Sequence, residues 1–313
     1  DVEFQKLGLA VVDEQHRFGV AQRARIFRKG DRPHMLLMTA TPIPRSLAMT
    51  LYGDLDVSVM RERPAGRKPI RTVLRYEKSR DVVYSFMRTQ IEEGRQCYVV
   101  YPLVEESEKV DLKDAESGFA RLKEEFAPHH VDLVHGRMSG EEKDAAMDGF
   151  KRGDTSVLVA TTVVEVGVDV ANASIMMIEH AERFGLSQLH QLRGRVGRGA
   201  EQSFCILMAD YKRTAEARER LEAMVATDDG FEISEMDLKQ RGAGDFFGTK
   251  QSGLPDLKIA DIMLDTEILA AAREAAFALI ESDPELQDPA HRTLREYFEL
   301  FYAEKSLGFA KIG

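Results

Sequence analysis

Asp13 and Glu14, in the stretch VVDEQHRFG (11–19), are adjacent carboxylates placed directly after the apolar run LGLAVV. A strand ending in carboxylates presents them at the sheet edge where α/β proteins hold ligands. In nucleotide hydrolysis the first such carboxylate holds Mg2+, and the second orients and deprotonates water. A solvated strand-to-loop turn fits the same two residues, and the pair alone does not choose. QLHQLRGRVGRG (188–199) is sharper, with Arg193, Arg195 and Arg198 set among Gly194, Gly197 and Gly199. The spacing of three predicts that Arg195 and Arg198 share a helix face, and the glycines admit a close backbone or ligand. Two guanidinium forks suit the charge developing on a triphosphate. A basic surface turn on nucleic-acid phosphates is the plainer reading.

Three further stretches stand at strand ends. In TATPIPRSL (39–47), Thr39 and Thr41 offer hydroxyls while Pro42 and Pro44 force the exit path; an ordinary strand–turn–helix with a capping threonine fits as well. ATTVVEVGVDV (160–170) carries Thr161 and Thr162 and then Gly167 and Asp169. Hydroxyls and N–H groups at such an end can hold a phosphodiester without reading bases, and an aspartate can bind a ribose hydroxyl. A strand with a tight turn explains each of these residues singly. HGRMS (135–139) sets His135 and Arg137 beside Gly136, equally suited to a nucleic-acid backbone and to a structural turn.

The elements that must position these residues are legible as apolar runs: LGLAVVD, HMLLMTA, RTVLRY, QCYVVYPLV, VDLVHG, SVLVATT, SIMMIEH and FCILMA. Runs this short and this apolar suit strands covered on both faces, as in a mostly parallel sheet. Between them, Val83, Phe86, Met87 and Ile91 make one helical stripe. Ala146, Met147 and Phe150 make another after an acidic first turn. Alternating strand and helix predict an α/β fold. Pro64, Gly66 and Pro69 interrupt both periods, so we place domains at 1–65 and 66–211, followed by a helical piece at 212–313. Within that last piece 213–228 and 262–303 read as helical. The stretch 240–255 between them, with four glycines and a proline, reads as a loop.

The 313 residues are enough for two domains, and 43% hydrophobic with 31% charged residues excludes a disordered chain. No apolar run approaches the roughly 20 residues that span a bilayer, and no basic-then-apolar leader opens the chain. The two cysteines, Cys97 and Cys205, sit in apparent strands and cannot close a four-ligand zinc site. A reduced, cytoplasmic protein without a membrane partner is expected. The net charge of −10 lends nucleic-acid binding no support by itself.

In order, VVDEQHRFG, TATPIPRSL, HGRM, ATTVVEVGVDV and QLHQLRGRVGRG resemble the later motifs of superfamily 2 helicases. LYGDLDVSV (51–59), GRKPI (66–70), YPLVEESEKVDLKDAE (101–116) and ERFGLSQLHQLRGRVGRG through RGAGDFFGTKQSGLP resemble the RecG family within that group. The resemblance implies a RecA-like P-loop NTPase helicase fold: the C-terminal part of motor domain 1, a complete motor domain 2, and a helical tail. It implies an ATP-dependent double-stranded DNA translocase that remodels stalled forks and Holliday junctions in recombination and repair. Its cofactors would be ATP and Mg2+. Its partners would be branched and double-stranded DNA and single-stranded-DNA-binding protein, and it would act as a monomer in the cytoplasm with the nucleoid. The alternatives are a transcription–repair coupling factor motor and a non-catalytic nucleic-acid-binding module.

Residue by residue, the resemblance gives Asp13 the Mg2+ and Glu14 the attacking water. Gln15 and His16 would link nucleotide to DNA, with Thr39 and Thr41 relaying the coupling. Gly167, Asp169 and Gln191 would meet the nucleotide, and Arg195 and Arg198 would be finger arginines. His135, Gly136, Thr161 and Thr162 would line the DNA track. A translocation hairpin would fall near 212–241 and its loop near 242–253, with Arg220, Arg241 and Gln251 at the coupling positions. Three features depart from the pattern. No G-x-x-x-x-G-K-[ST] loop occurs in these residues, GTK at 248–250 having no strand before it, and the family's wedge domain is absent. Ala243 stands where a proline is expected. The chain by itself is therefore expected to lack ATPase activity.

Overall fold

The computed structural model describes residues 3–14, 25–26, 29–30, 33–40, 56–60, 62, 66–103, 108–161, 170–246 and 265–301. They fall into two compact units, one of Asp1–Ser58 with Ala243–Gly313 and one of Val59–Gly242.

In the first unit, β1 (Leu9–Val12) and β2 (His34–Leu37) pair in parallel, Leu9 opposite His34 and Val12 opposite Leu37. Ala10 and Val12 are buried while Leu9 and Val11 are exposed, the period-2 pattern of a strand covered on one face.

The second unit is built on a six-stranded all-parallel sheet. Its strands are β3 (Arg71–Tyr76), β4 (Gln96–Val100), β5 (Val131–Val134), β6 (Val157–Ala160), β7 (Ala173–Ile178) and β8 (Phe204–Ala209). Their order is β3-β8-β7-β4-β6-β5. The central strands are buried along their whole length, so their continuous apolar runs serve two cores at once. Cys97 and Val99 of β4 face one core with Val83, Met87 and Ile91 of α1 (Arg80–Glu92) and Leu122 of α2 (Glu108–Glu125). Tyr98 and Val100 face the other, with Phe150 of α3 (Gly140–Arg152) and Leu186, Leu189 and Leu192 of α4 (Leu186–Arg193). Both cysteines are fully buried; burial pushes the Cys205 thiol up to about 12 and raises that of Cys97 as well.

All eight apolar runs are strands, and α1 and α3 occupy the two predicted helical stripes. Three local readings differ. The helical piece does not begin cleanly after 211, because Leu221 and Met224 of α5 (Ala215–Ala226) and Ile233 of α6 (Gly230–Phe246) close the second core. Apolar packing therefore carries the unit through to Gly242. The glycine-rich stretch read as a loop is partly helix, since α6 continues through Gly242 and Gly244 to Phe246. Each internal glycine costs only about 1 kcal/mol relative to alanine, which context can offset. The helical stretch 262–303 is two helices, α7 (Thr266–Ser282) and α8 (Arg292–Phe301). Between them the Asp283 carboxylate accepts from Gln287 N, Asp288 N and the His291 ring, building a turn that ends the first helix.

Candidate nucleotide and nucleic-acid site

Asp13 and Glu14 follow β1 directly. Asp13 is exposed, and its Oδ1 accepts the Glu14 N–H at 2.8 Å. That bond turns Glu14 into the left-handed region at φ 50, a conformation a non-glycine residue adopts at a cost. Met38 N donates to Val12 O at 2.8 Å, carrying the pairing one step beyond the strands, and Thr39 follows half-buried. Among the described residues no group of three or more His, Cys, Asp or Glu could hold a metal. Mg2+ is commonly held by one or two carboxylates with phosphate oxygens and waters, so an exposed Asp13 at a strand end fits it.

The arginine–glycine segment is not one helix. α4 stops at Arg193, residues 194–196 turn, and Gly197 takes φ 79. Arg195 and Arg198 therefore do not share a helix face, contrary to the spacing argument. In the loop, Arg198 Nε donates to Gly194 O at 3.4 Å. The glycines are required by contact: a Cβ on Gly197 would stand 2.9 Å from Ile70, and one on Gly199 2.5 Å from the Ala171 carbonyl. Gly199 thus packs against the stretch that follows Val170. Gln191 sits half-buried in the last turn of α4.

Arg193 has a different task from its two neighbours. It is 2% exposed and donates to Met224 O at 3.0 Å and Thr227 O at 2.8 Å, with Thr72 Oγ1 at 3.4 Å. Its guanidinium satisfies carbonyls at the C-terminal end of α5, which a helix leaves without intrahelical donors. Ser187 Oγ donates to Asp237 Oδ2 at 2.7 Å, and Arg220 Nη2 donates to Glu182 O at 3.0 Å. Three polar ties thus fasten α5 and α6 to the helix and turn that carry Gln191.

At the far edge, β5 and β6 pair with Val134 opposite Ala160, so His135 and Thr161 leave the sheet side by side. Thr161 N donates to Val134 O at 3.2 Å, yet among the described residues its fully buried Oγ1 and the shielded His135 Nδ1 have no hydrogen-bond partner. An unpartnered buried polar group costs about 1–3 kcal/mol and calls for an explanation. Gly136 is exposed, and its carbonyl accepts from Lys143 Nζ at 2.9 Å. Arg241 lies on the backbone of α6. Gln15, His16, Thr41, Thr162, Gly167, Asp169 and Gln251 fall outside the described residues.

One charged cluster escaped the sequence reading. The strand order reverses between β4 and β7, the switch point where open α/β sheets hold ligands. Here Glu179, 2% exposed at the end of β7, takes both terminal nitrogens of Arg80, which also grips Glu77 at 2.7 Å. Arg121 lies 3.8 Å from Glu179, and Arg80 donates to Tyr84 Oη at 3.0 Å. The Arg80 hydrogen bonds hold the Glu77 carboxyl below its ordinary range. The available signal was a glutamate ending an apolar run, SIMMIEH, as Asp13 ends LGLAVVD.

Residues 77–200 match the family described as helicase conserved C-terminal domain, and residues 227–305 match ATP-dependent DNA helicase RecG, domain 3, C-terminal. The Mycobacterium smegmatis helicase Lhr bound to ssDNA and AMP-PNP shares the fold at TM-score 0.52 and 18% identity, over 69% of this chain and 31% of that one. That likeness is one of fold. A structure of RecG bound to a three-way DNA junction is 46% identical, with TM-score 0.67 over 86% of this chain and 34% of that one. The Synechocystis sp. ATP-dependent DNA helicase RecG is 53% identical over 98% of this chain and 37% of its own length; for that of Bacillus subtilis the figures are 50%, 95% and 43%. The chain spans less than half the length of these relatives.

Proposed function

We propose that the chain supplies the C-terminal motor portion of an ATP-dependent DNA helicase that translocates on duplex DNA and remodels forks and four-way junctions. The observation that carries this reading is the 50% and 53% identity to RecG helicases, continuous across 95% and 98% of the chain. Residues 1–65 would be the end of motor domain 1, 66–211 motor domain 2, and 212–313 the translocation hairpin and tail. Bound Mg2+ would neutralise charge on the triphosphate. Asp13 would orient that ion and Glu14 the attacking water, with Gln15, His16, Thr39 and Thr41 passing the change toward DNA. Arg195 and Arg198 would close on the phosphates beside Gln191, Gly167 and Asp169. Arg193 and Arg220 would carry that closure into the hairpin, with Arg241 and Gln251 beyond it. His135, Gly136, Thr161 and Thr162 would hold the DNA backbone, where a phosphate oxygen would satisfy the idle hydroxyl of Thr161. DNA as substrate puts the work in the cytoplasm with the nucleoid.

The test is DNA-stimulated phosphate release. In a full-length parent, Arg198→Ala should lower turnover roughly 10^3- to 10^5-fold, as for other finger arginines. The 313-residue chain, having no G-x-x-x-x-G-K-[ST] loop, should show negligible turnover. Turnover by this chain at the full-length rate would sink the reading.

A further inference from the structure

We infer that a basic concavity beside α5, with a tyrosine stack next to its Arg213, is a binding site for single-stranded nucleic acid, separate from the edge at His135 and Thr161. The concavity measures about 460 Å³ and is lined by Glu182, Lys212, Arg213, Thr214, Ala217 and Arg220. Three of its six residues are cationic, in a chain whose net charge is −10.

The state of those cations carries the argument. Arg88, Arg95, Arg152 and Arg218 of the same unit each meet a carboxylate. Arg213 instead donates to Asp210 O at 3.0 Å and Tyr76 Oη at 2.8 Å, and Arg220 to Glu182 O. These acceptors are neutral oxygens, so they position both guanidiniums without cancelling their charge. The Nε atoms of Arg213 and Arg220 are shielded from water and have no hydrogen-bond partner among the described residues. Acids offset part of this charge: Glu216 and Asp237 line the adjoining concavity with Arg220, and Glu182 and Asp210 stand beside the cations with hydrogen-bond partners of their own. Glu182 faces His180 Nδ1 at 3.7 Å and accepts Asp210 N at 3.2 Å, while Asp210 accepts Lys212 N at 3.0 Å. Lys212 keeps its ammonium at an exposed position.

Beside these cations Tyr76 and Tyr211 stack at 4.2 Å between centroids and 18° between planes. The Arg213 guanidinium lies 5.1 Å from the centre of the Tyr76 ring. Tyr211 is 62% exposed, a flat aromatic ring held from below by its partner and open to solvent. Cations along a groove with a presented aromatic face are what binds single strands without reading sequence: phosphates sit on the cations and an unpaired base stacks on the ring. A duplex keeps its bases stacked inside, so the Tyr211 face discriminates in favour of single strands.

The experiment uses the whole chain and fluorophore-labelled oligothymidylate, followed by anisotropy. Tyr211→Ala should weaken binding at least about 5-fold, the lower end for loss of one base stack, while Tyr211→Phe retains it. Lys212→Gln should weaken binding and lower the slope of log affinity against log salt by about 0.7. Oligothymidylate carrying 5-iododeoxyuridine should photocross-link to Tyr211, located by peptide mass spectrometry. Wild-type affinity in both Tyr211→Ala and Lys212→Gln overturns the site, as does cross-linking confined to the 135–161 edge or an absence of oligothymidylate binding. The motor reading is judged by ATP turnover of the parent, so either proposal can fail while the other stands.

Discussion

Two stretches of the same sheet edge handle buried polarity in opposite ways. At the ends of β4 and β7, Glu179 is closed off by Arg80, with Arg121 nearby, and that charge is spent inside the molecule. At the ends of β6, which pairs with β4, and of β5 beyond it, Thr161 and His135 bury polar atoms that nothing among the described residues satisfies. The first arrangement holds strand ends in place, and the second leaves buried polar atoms without partners among the described residues. The switch point is the expected ligand crevice of such a sheet, yet here it is plugged by the protein's own ions. The inferred binding edge lies beside it.

The contrast can be broken at its strong end. Glu179→Ala strands Arg80 next to the core and should lower unfolding free energy by about 3 kcal/mol, read from urea midpoints at constant slope. An unchanged midpoint would mean that the plug does not hold the edge. At the other end, Thr161→Val removes a hydroxyl with no partner. It should leave stability unchanged or raise it by up to about 1 kcal/mol, while duplex-DNA affinity falls several-fold. A loss of stability as large as that of Glu179→Ala would show that the hydroxyl is structurally satisfied, and would erase the contrast.

The smallest effect is a pH dependence. Glu182 raises the His180 pKa above its ordinary 6.5, and Glu182 itself is held below its ordinary 4.5, where burial is outweighed by its hydrogen bonds to His180 and Asp210. A raised histidine contributes stability that is full below 6.5 and lost as pH rises through its folded value. A depressed carboxylate contributes stability that is full above 4.5 and lost as pH falls through its folded value. The pair should therefore help most between about pH 4.5 and 6.5, a modest effect because His180 is half exposed. In His180→Gln, thermal melts across pH 5–8 should lose the decline on the alkaline side. A decline of the same size in the variant would assign it to other groups.

The strands were legible because each is a short apolar run, buried along its whole length in β4, β6 and β7, so composition alone marks it. The site was legible only where chemistry is local. Asp13 and Glu14, and the interleaved arginines and glycines, declare themselves within a dozen residues. The Arg80–Glu179 plug did not, because its partners are separated by most of the sheet and are joined only by strand order. Arg193 was noticed as one of three arginines, but its assignment to the carbonyls of Met224 and Thr227 needs the fold. The three-residue spacing misled for a physical reason: Gly197 at positive φ and Gly199 against Ala171 bend the segment away from helix.

The pairing of β3 with β8 has a consequence for how the second unit is made. Arg71 lies opposite Phe204, so the first strand of this sheet to leave the ribosome finds its neighbour among the last. At ordinary synthesis rates the roughly 130 residues between them take on the order of ten seconds or more. Through that interval Val73 and Leu74 have no strand beside them, although β4 through β7 can already assemble. A nascent chain arrested shortly before residue 204 should therefore hold a protease-sensitive segment at 66–76, and protection there should appear once β8 has emerged.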